Sequence, residues 1–149
     1  MNTTSLNLLS NEGEPFSLND ITTTYCVVYF YPKDMTSGCS QQAQDFRDLH
    51  QDFVNSDCTV IGISPDSVVS HQKFIAKYDL PFTLLADTDK QACQDYGVWQ
   101  EKSMYGKKYF GVVRSTFLLD KQRNVIKEWS KVKVKGHVAE VLAYLSSLK

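Results

Sequence analysis

No run of apolar residues in this sequence approaches the roughly 20 needed to cross a bilayer. The opening Met-Asn-Thr-Thr-Ser-Leu-Asn-Leu-Leu has neither a basic leader nor a long apolar core. A membrane span and a secretory signal are therefore not expected, and a cytoplasmic location is. No Cys-x-x-Cys pair occurs among Cys26, Cys39, Cys58 and Cys93, and His50, His71 and His137 are scattered. That argues against a structural zinc site and against an ordinary dithiol–disulfide oxidoreductase. Internal repeats, low-complexity tracts and linkers are also missing. With 149 residues, 42% hydrophobic and 22% charged, the chain reads as one soluble domain over 1–149, with enough core to need no disulfide staples. Four reduced thiols with separate roles fit better than two bridges.

Net charge is nearly absent too, at −1, which argues against general nucleic-acid binding. The charge is unevenly spread. Residues 1–100 hold 5 Lys/Arg and 13 Asp/Glu, and residues 101–149 hold 11 and 4. Two readings stay open. These are solvated faces of different sign, or the basic final third attracts an acidic partner or an anionic thiol.

What is present alternates between strand and helix. Residues 7–20 read as an N-terminal hairpin around Asn-Glu-Gly-Glu-Pro. Residues 25–31, Tyr-Cys-Val-Val-Tyr-Phe-Tyr, form a continuous β-rich run suited to a strand buried on both faces. A helix follows over 39–54, with Ala43, Phe46, Leu49, Phe53 and Val54 inward. Strands are expected at 58–64 and 83–86, helices at 67–78 and 89–96, further strands near 111–119 and 124–130, and a last helix at 137–148. That last helix turns Val138, Val141, Leu142, Leu145 and Leu148 inward. Strands alternating with helices and ending in an antiparallel pair predict an α/β fold, a central mixed sheet with helices on both faces.

Cys39 is the leading chemical residue. Its neighbours Ser37, Gly38, Ser40, Gln41 and Gln42 are polar, which is unlike a core thiol. It lies at a helix start, where the backbone favours the reactive thiolate. Thr36, three residues earlier, falls on the same side; it either caps the helix or donates its hydroxyl to a thiolate or substrate oxygen. Arg114 lies in the apolar Phe-Gly-Val-Val-Arg-Ser-Thr-Phe. A permanent cation there needs either an edge position facing solvent or an anion. The only obvious anionic chemistry is the thiolate, so Arg114 is expected to meet Cys39. Cys26 and Cys58 sit in apolar β-rich runs and read as structural. Cys93 shares the apolar side of its short helix with Ala92 and Tyr96.

Pro32-x-x-x-Thr36-x-x-Cys39 resembles the active-site signature of peroxiredoxins. Tyr-Phe-Tyr-Pro-Lys-Asp, Leu80-Pro81-Phe82, Ala86-Asp87 and Tyr-Gly-Lys-Lys-Tyr-Phe-Gly-Val-Val-Arg-Ser-Thr-Phe resemble the peroxiredoxin Q, or bacterioferritin comigratory protein, subgroup. The likeness runs from about Leu8 to Leu148. It implies a thioredoxin-like fold and a thiol peroxidase that reduces hydrogen peroxide and organic hydroperoxides without metal or organic cofactor. Cys39 would be the peroxidatic cysteine, with Thr36 and Arg114 beside it and Pro32 shielding it from solvent. Many members carry a resolving cysteine five residues after the peroxidatic one, and others carry it in the next helix. Here those positions hold Gln44 and, near the second, Ile75. The expectation is a one-Cys cycle in which an external thiol, from glutathione, glutaredoxin or thioredoxin, attacks sulfenic Cys39. The alternatives are resolution through Cys93, or a thiol-based redox sensor with little turnover. Neither nucleic acid nor membrane is an expected partner, and the expected state is a monomer or weak dimer.

Overall fold

The computed structural model describes residues 6–148. Residues 1–5, read above as part of a segment without a leader, lie outside the described residues, as does residue 149. In chain order the strands are β1 (Leu8–Ser10), β2 (Pro15–Phe16), β3 (Tyr25–Phe30), β4 (Cys58–Ser64), β5 (Thr83–Ala86), β6 (Trp99–Met104), β7 (Lys107–Val112), β8 (Ser115–Leu119) and β9 (Val125–Trp129). The helices are α1 (Ser37–Asp48), α2 (His50–Asn55), α3 (Val68–Tyr78), α4 (Gln91–Asp95) and α5 (His137–Ser147), with a 3-10 turn at Leu18–Asp20.

The seven-stranded sheet has the order β2-β1-β5-β4-β3-β8-β9. Strands β3, β4 and β5 run parallel, while β1, β8 and β9 are antiparallel to their neighbours. The fold is thioredoxin-like, α/β with a mixed central sheet. The apolar run of β3 lies between two covered faces. Val27 and Tyr29 join Ala43, Phe46, Phe53, Phe74 and Val141 on one side. Cys26, Val28 and Phe30 join Leu18, Ala92, Cys93 and Phe117 on the other. The period of two along the strand produces this division. The layers are unequal: α1, α2, α3 and α5 cover the first face, and α4 with the 3-10 turn helps cover the second.

Several boundaries differ from those expected. The long helix over 39–54 breaks at Leu49, which ends α1 and starts α2. The break keeps Phe46 and Phe53 together in the core, ring centroids 5.8 Å apart, and turns Val54 outward, 48% exposed. Leu148, expected inward, is 38% exposed just beyond α5. The strand near 111–119 is two strands, and its first part pairs with β6 in a separate hairpin turned by Tyr105-Gly106. That hairpin is mostly exposed along both strands, so it carries no alternating apolar signal.

Gly62 on β4 is closely packed on its side-chain face. A Cβ there would lie 2.7 Å from Leu84 Cδ2 and 2.9 Å from Tyr29 Cζ. Leu84 can turn, but the Tyr29 ring stacks on Phe46 at 4.5 Å and on Tyr31 at 5.5 Å. Gly62→Ala is therefore expected to destabilise the fold by ~1–3 kcal/mol, the usual cost of overpacking a dense core. Urea unfolding monitored by circular dichroism reads this directly, and an unchanged midpoint contradicts it.

Candidate active site

The site forms where β3 ends and the chain must turn back into α1. Tyr31 and Pro32 continue from the strand, Asp34 is buried, and Met35 takes a left-handed backbone with φ 68°. Thr36 is the N-cap position of α1, but its side chain makes no cap. Its Oγ1 instead donates to Lys33 O at 2.8 Å. The hydroxyl proton is thus directed into the loop, and the exposed oxygen has lone pairs left to accept a hydrogen bond. The first helical bond is Ser40 N–H to Thr36 O at 2.8 Å. The amides before it lack intrahelical acceptors, so the helix start retains its affinity for an anion.

Cys39 is the third residue of α1 and is only 1% exposed. Arg114 Nη2 donates to its Sγ at 3.2 Å, while Nη1 donates to Gln42 Oε1 at 2.6 Å. Cys39 and Gln42 are three apart on one helical face, so the planar guanidinium spans both. Gly38 eases this approach, since a Cβ there would stand 3.3 Å from Arg114 Nη2 and the guanidinium would have to give by a few tenths of an ångström. Arg114 itself lies not in a strand but in the short gap between β7 and β8. Register explains its arrival: β3 and β8 are antiparallel with Phe30 opposite Ser115, so the chain leaving β3 emerges beside the residue entering β8. Pro32 is half-buried and Thr36 exposed in the same loop.

Three features of the surroundings were not read from the sequence. Gln42 holds Arg114, and its position three residues after Cys39 was the available signal. Its Nε2 is buried and without a partner among the described residues, as is Tyr29 Oη. Burial, then the charges of Cys39 and Asp34, push the Tyr29 phenol well up, which keeps it a proton donor. Lys102 reaches across the hairpin to Val112 O at 2.7 Å. Burial first, then Arg114, push its ammonium down, while Cys39 pulls it up, so a second cation acts on the thiol. The third feature is a buried Asp34–His71 pair behind the loop.

Cys93 is not part of this constellation. It packs in the cluster on the opposite face of the sheet from Cys39. Burial and then a hydrogen bond with Asp87 push its thiol far up. Cys26 is likewise pushed far up, by burial and then by Cys58. None of the four cysteines is joined in a disulfide. Among the described residues no group of three or more His, Cys, Asp or Glu is placed to hold a metal ion, and no helix is long and apolar enough to cross a membrane.

Comparison with known proteins gives a consistent set of likenesses. The AhpC/TSA family profile matches residues 2–128. Peroxiredoxin Bcp of Bacillus subtilis is 50% identical over 143 residues, covering 96% of this chain and 91% of that protein. A putative peroxiredoxin bcp of Coxiella burnetii is 49% identical over 138 residues, covering 93% and 91%. Among solved structures, the bacterioferritin comigratory protein of Xanthomonas campestris, described with its alkyl peroxide reduction activity, superposes with a TM-score of 0.92 at 41% identity. That match covers 97% of this chain and 92% of the other. Peroxidoxin BcpB of Mycobacterium tuberculosis gives 0.89 at 29% identity, covering 100% and 96%.

Proposed function

Because the chain belongs to the AhpC/TSA family, with its likeness to the Bcp/peroxiredoxin Q proteins, we propose that it is a thiol peroxidase whose peroxidatic residue is Cys39. The observation that carries this reading is the 3.2 Å contact from Arg114 Nη2 to Cys39 Sγ at the start of a helix. The Cys39 thiolate attacks the terminal oxygen of a hydroperoxide. An S–O bond forms, the O–O bond breaks, and sulfur supplies both electrons. The leaving alkoxide or hydroxide takes a proton from solvent, and Cys39 becomes a sulfenic acid. Converting a thiol wholly to thiolate at neutral pH gains at most about thirtyfold, and nucleophilicity falls with basicity. The larger gain must come from donors aimed at the charge that grows on the leaving oxygen. Arg114 and the amides of the first turn of α1 are such donors. Thr36, its own proton turned to Lys33 O, accepts a hydrogen bond from the hydroperoxide O–H and so orients the substrate, the proton staying on the oxygen that passes to sulfur. Pro32 screens the thiolate from solvent.

The cycle closes through an external thiol. That thiol attacks sulfenic Cys39 and releases water; a second thiol then frees Cys39 by disulfide exchange. Support comes from Gln44 at the position, and Ile75 near the position, where members of the resembled family carry a second cysteine, and from Cys93 lying across the sheet with a thiol that holds its proton. Glutathione, glutaredoxin or thioredoxin are the reductants of this class. A groove between Ser37, Gly38, Gln41 and Asp45 of α1 and the Val134–Gly136 segment, with Lys135 and Asp45 both on its wall, opens beside the helix start and is a route for the external thiol.

The test is intact mass after one equivalent of peroxide without other thiols, with and without a sulfenic-acid trap. The expected product is Cys39 carrying one oxygen, captured by the trap, with Cys93 still open to alkylation under denaturing conditions. A stoichiometric Cys39–Cys93 disulfide overturns the one-Cys cycle, and an unmodified Cys39 overturns the peroxidase itself.

A further inference from the structure

We propose that the buried Asp34–His71 pair is the positioning device of the active-site loop, holding residues 32–36 against α3 and so fixing where Thr36 and the first turn of α1 present Cys39. Asp34 is 4% exposed and His71 0%. Asp34 Oδ1 accepts from Tyr31 Oη at 2.6 Å. Its Oδ2 accepts from Ser70 Oγ at 2.8 Å and faces His71 Nδ1 at 2.8 Å. The Asp34 backbone N–H donates to Asp66 Oδ2 at 2.8 Å, and Asp66 also takes the Ser64 hydroxyl at 2.6 Å. On the far side, His71 Nε2 donates to Leu85 O at 2.9 Å, since a carbonyl can only accept. One short loop is thereby tied to the end of β3, the end of β4, helix α3 and strand β5.

With Nε2–H committed to Leu85, the contact between Nδ1 and Oδ2 contains one shared proton. Carried on either partner, it makes the pair neutral as a unit, which is the form a dry interior tolerates. The bonds converge next to a strained position. Met35 has φ 68° and is 42% exposed. A left-handed backbone is unfavourable for such a residue and persists only where the surroundings hold it. The bonds of Asp34 on one side and the Thr36–Lys33 bond on the other hold it there. None of Tyr31, Asp34, Ser70 or His71 hydrogen-bonds Cys39 or Arg114 among the described residues, so the pair acts by geometry. A misplacement of about 1 Å at a reacting group is enough to cost on the order of a hundredfold in rate.

The rate arm of the test rests on the peroxidase reading; the alkylation arm does not. Asp34→Asn, Tyr31→Phe and Ser70→Ala are compared with wild type by two rates, oxidation of Cys39 by peroxide and alkylation of Cys39 by iodoacetamide, on protein shown folded by circular dichroism. Asp34→Asn is expected to slow oxidation by about ten- to a hundredfold and to speed alkylation, because release of the loop uncovers a thiol now shielded. Tyr31→Phe and Ser70→Ala should move both rates in the same directions by less. They carry the test if Asp34→Asn does not fold. The double variant Asp34→Asn/Met35→Asn should recover both rates without recovering Tm, since asparagine accepts the left-handed region more readily. Lowered Tm with both rates unchanged across the series overturns the inference. If wild-type Cys39 does not react with peroxide, the peroxidase reading has failed, and the alkylation rates still decide whether the pair positions the loop.

Discussion

Replacing Cys39 by serine is expected to abolish peroxide consumption, while serine at Cys26, Cys58 or Cys93 leaves the rate of Cys39 oxidation close to wild type. The serine hydroxyl is nearly isosteric and can still accept from Arg114, so Cys39→Ser should fold. It fails as a nucleophile because an alcohol is not ionised at neutral pH, and taking up the peroxide oxygen would only replace one weak O–O bond with another. The other three cysteines lie within apolar clusters. Serine there buries a hydroxyl that costs about 1–3 kcal/mol when unpaired, so those variants should lose stability without losing reactivity. Peroxide disappearance in a single turnover, with thermal unfolding alongside, separates the two effects. Consumption at the wild-type rate by Cys39→Ser would remove the assignment.

The second large effect is at Arg114. Arg114→Lys keeps the charge but loses the planar fork that reaches Cys39 Sγ and Gln42 Oε1 together. A single ammonium cannot occupy both positions. The Gln42 carbonyl is left buried, and the donor aimed at the leaving oxygen moves. The second-order rate with hydrogen peroxide is expected to fall by about tenfold to a thousandfold, the range for loss of one transition-state donor. Gln42→Leu should fall less, since it frees Arg114 without removing it. Rapid-mixing measurements on folded protein check both; an unchanged rate in Arg114→Lys rejects its part in the chemistry.

Much of the architecture was legible because it depends on neighbours in sequence. The run Tyr25–Tyr31 is apolar at every position, and only a strand covered on both faces satisfies that. The fold class followed from the alternation of such runs with helical stripes. The β6–β7 hairpin was missed because its side chains face solvent on both sides of the ribbon, so burial leaves no mark on it. The break at Leu49 was missed for a related reason: Phe46 and Phe53 fit one unbroken helical stripe, and only their ring contact in the core shows where the helix turns.

At the site, the residue types and spacing of Pro32, Thr36 and Cys39 were decided locally, because they lie within one loop and the first turn of one helix. What Thr36 does with its proton was not, since that depends on how the loop folds over Lys33. The meeting of Cys39 with Arg114, 75 residues away, could be argued in sequence only from the cost of an unpaired cation. The tertiary structure decides it through the antiparallel register of β3 with β8. The same holds for Asp34 and His71, 37 residues apart, and for the sheet that stands between Cys39 and Cys93. Local pattern determines which segments must be buried and which thiol sits in polar company. Strand order and register determine which distant groups share a face, and neither is encoded by a short-range repeat.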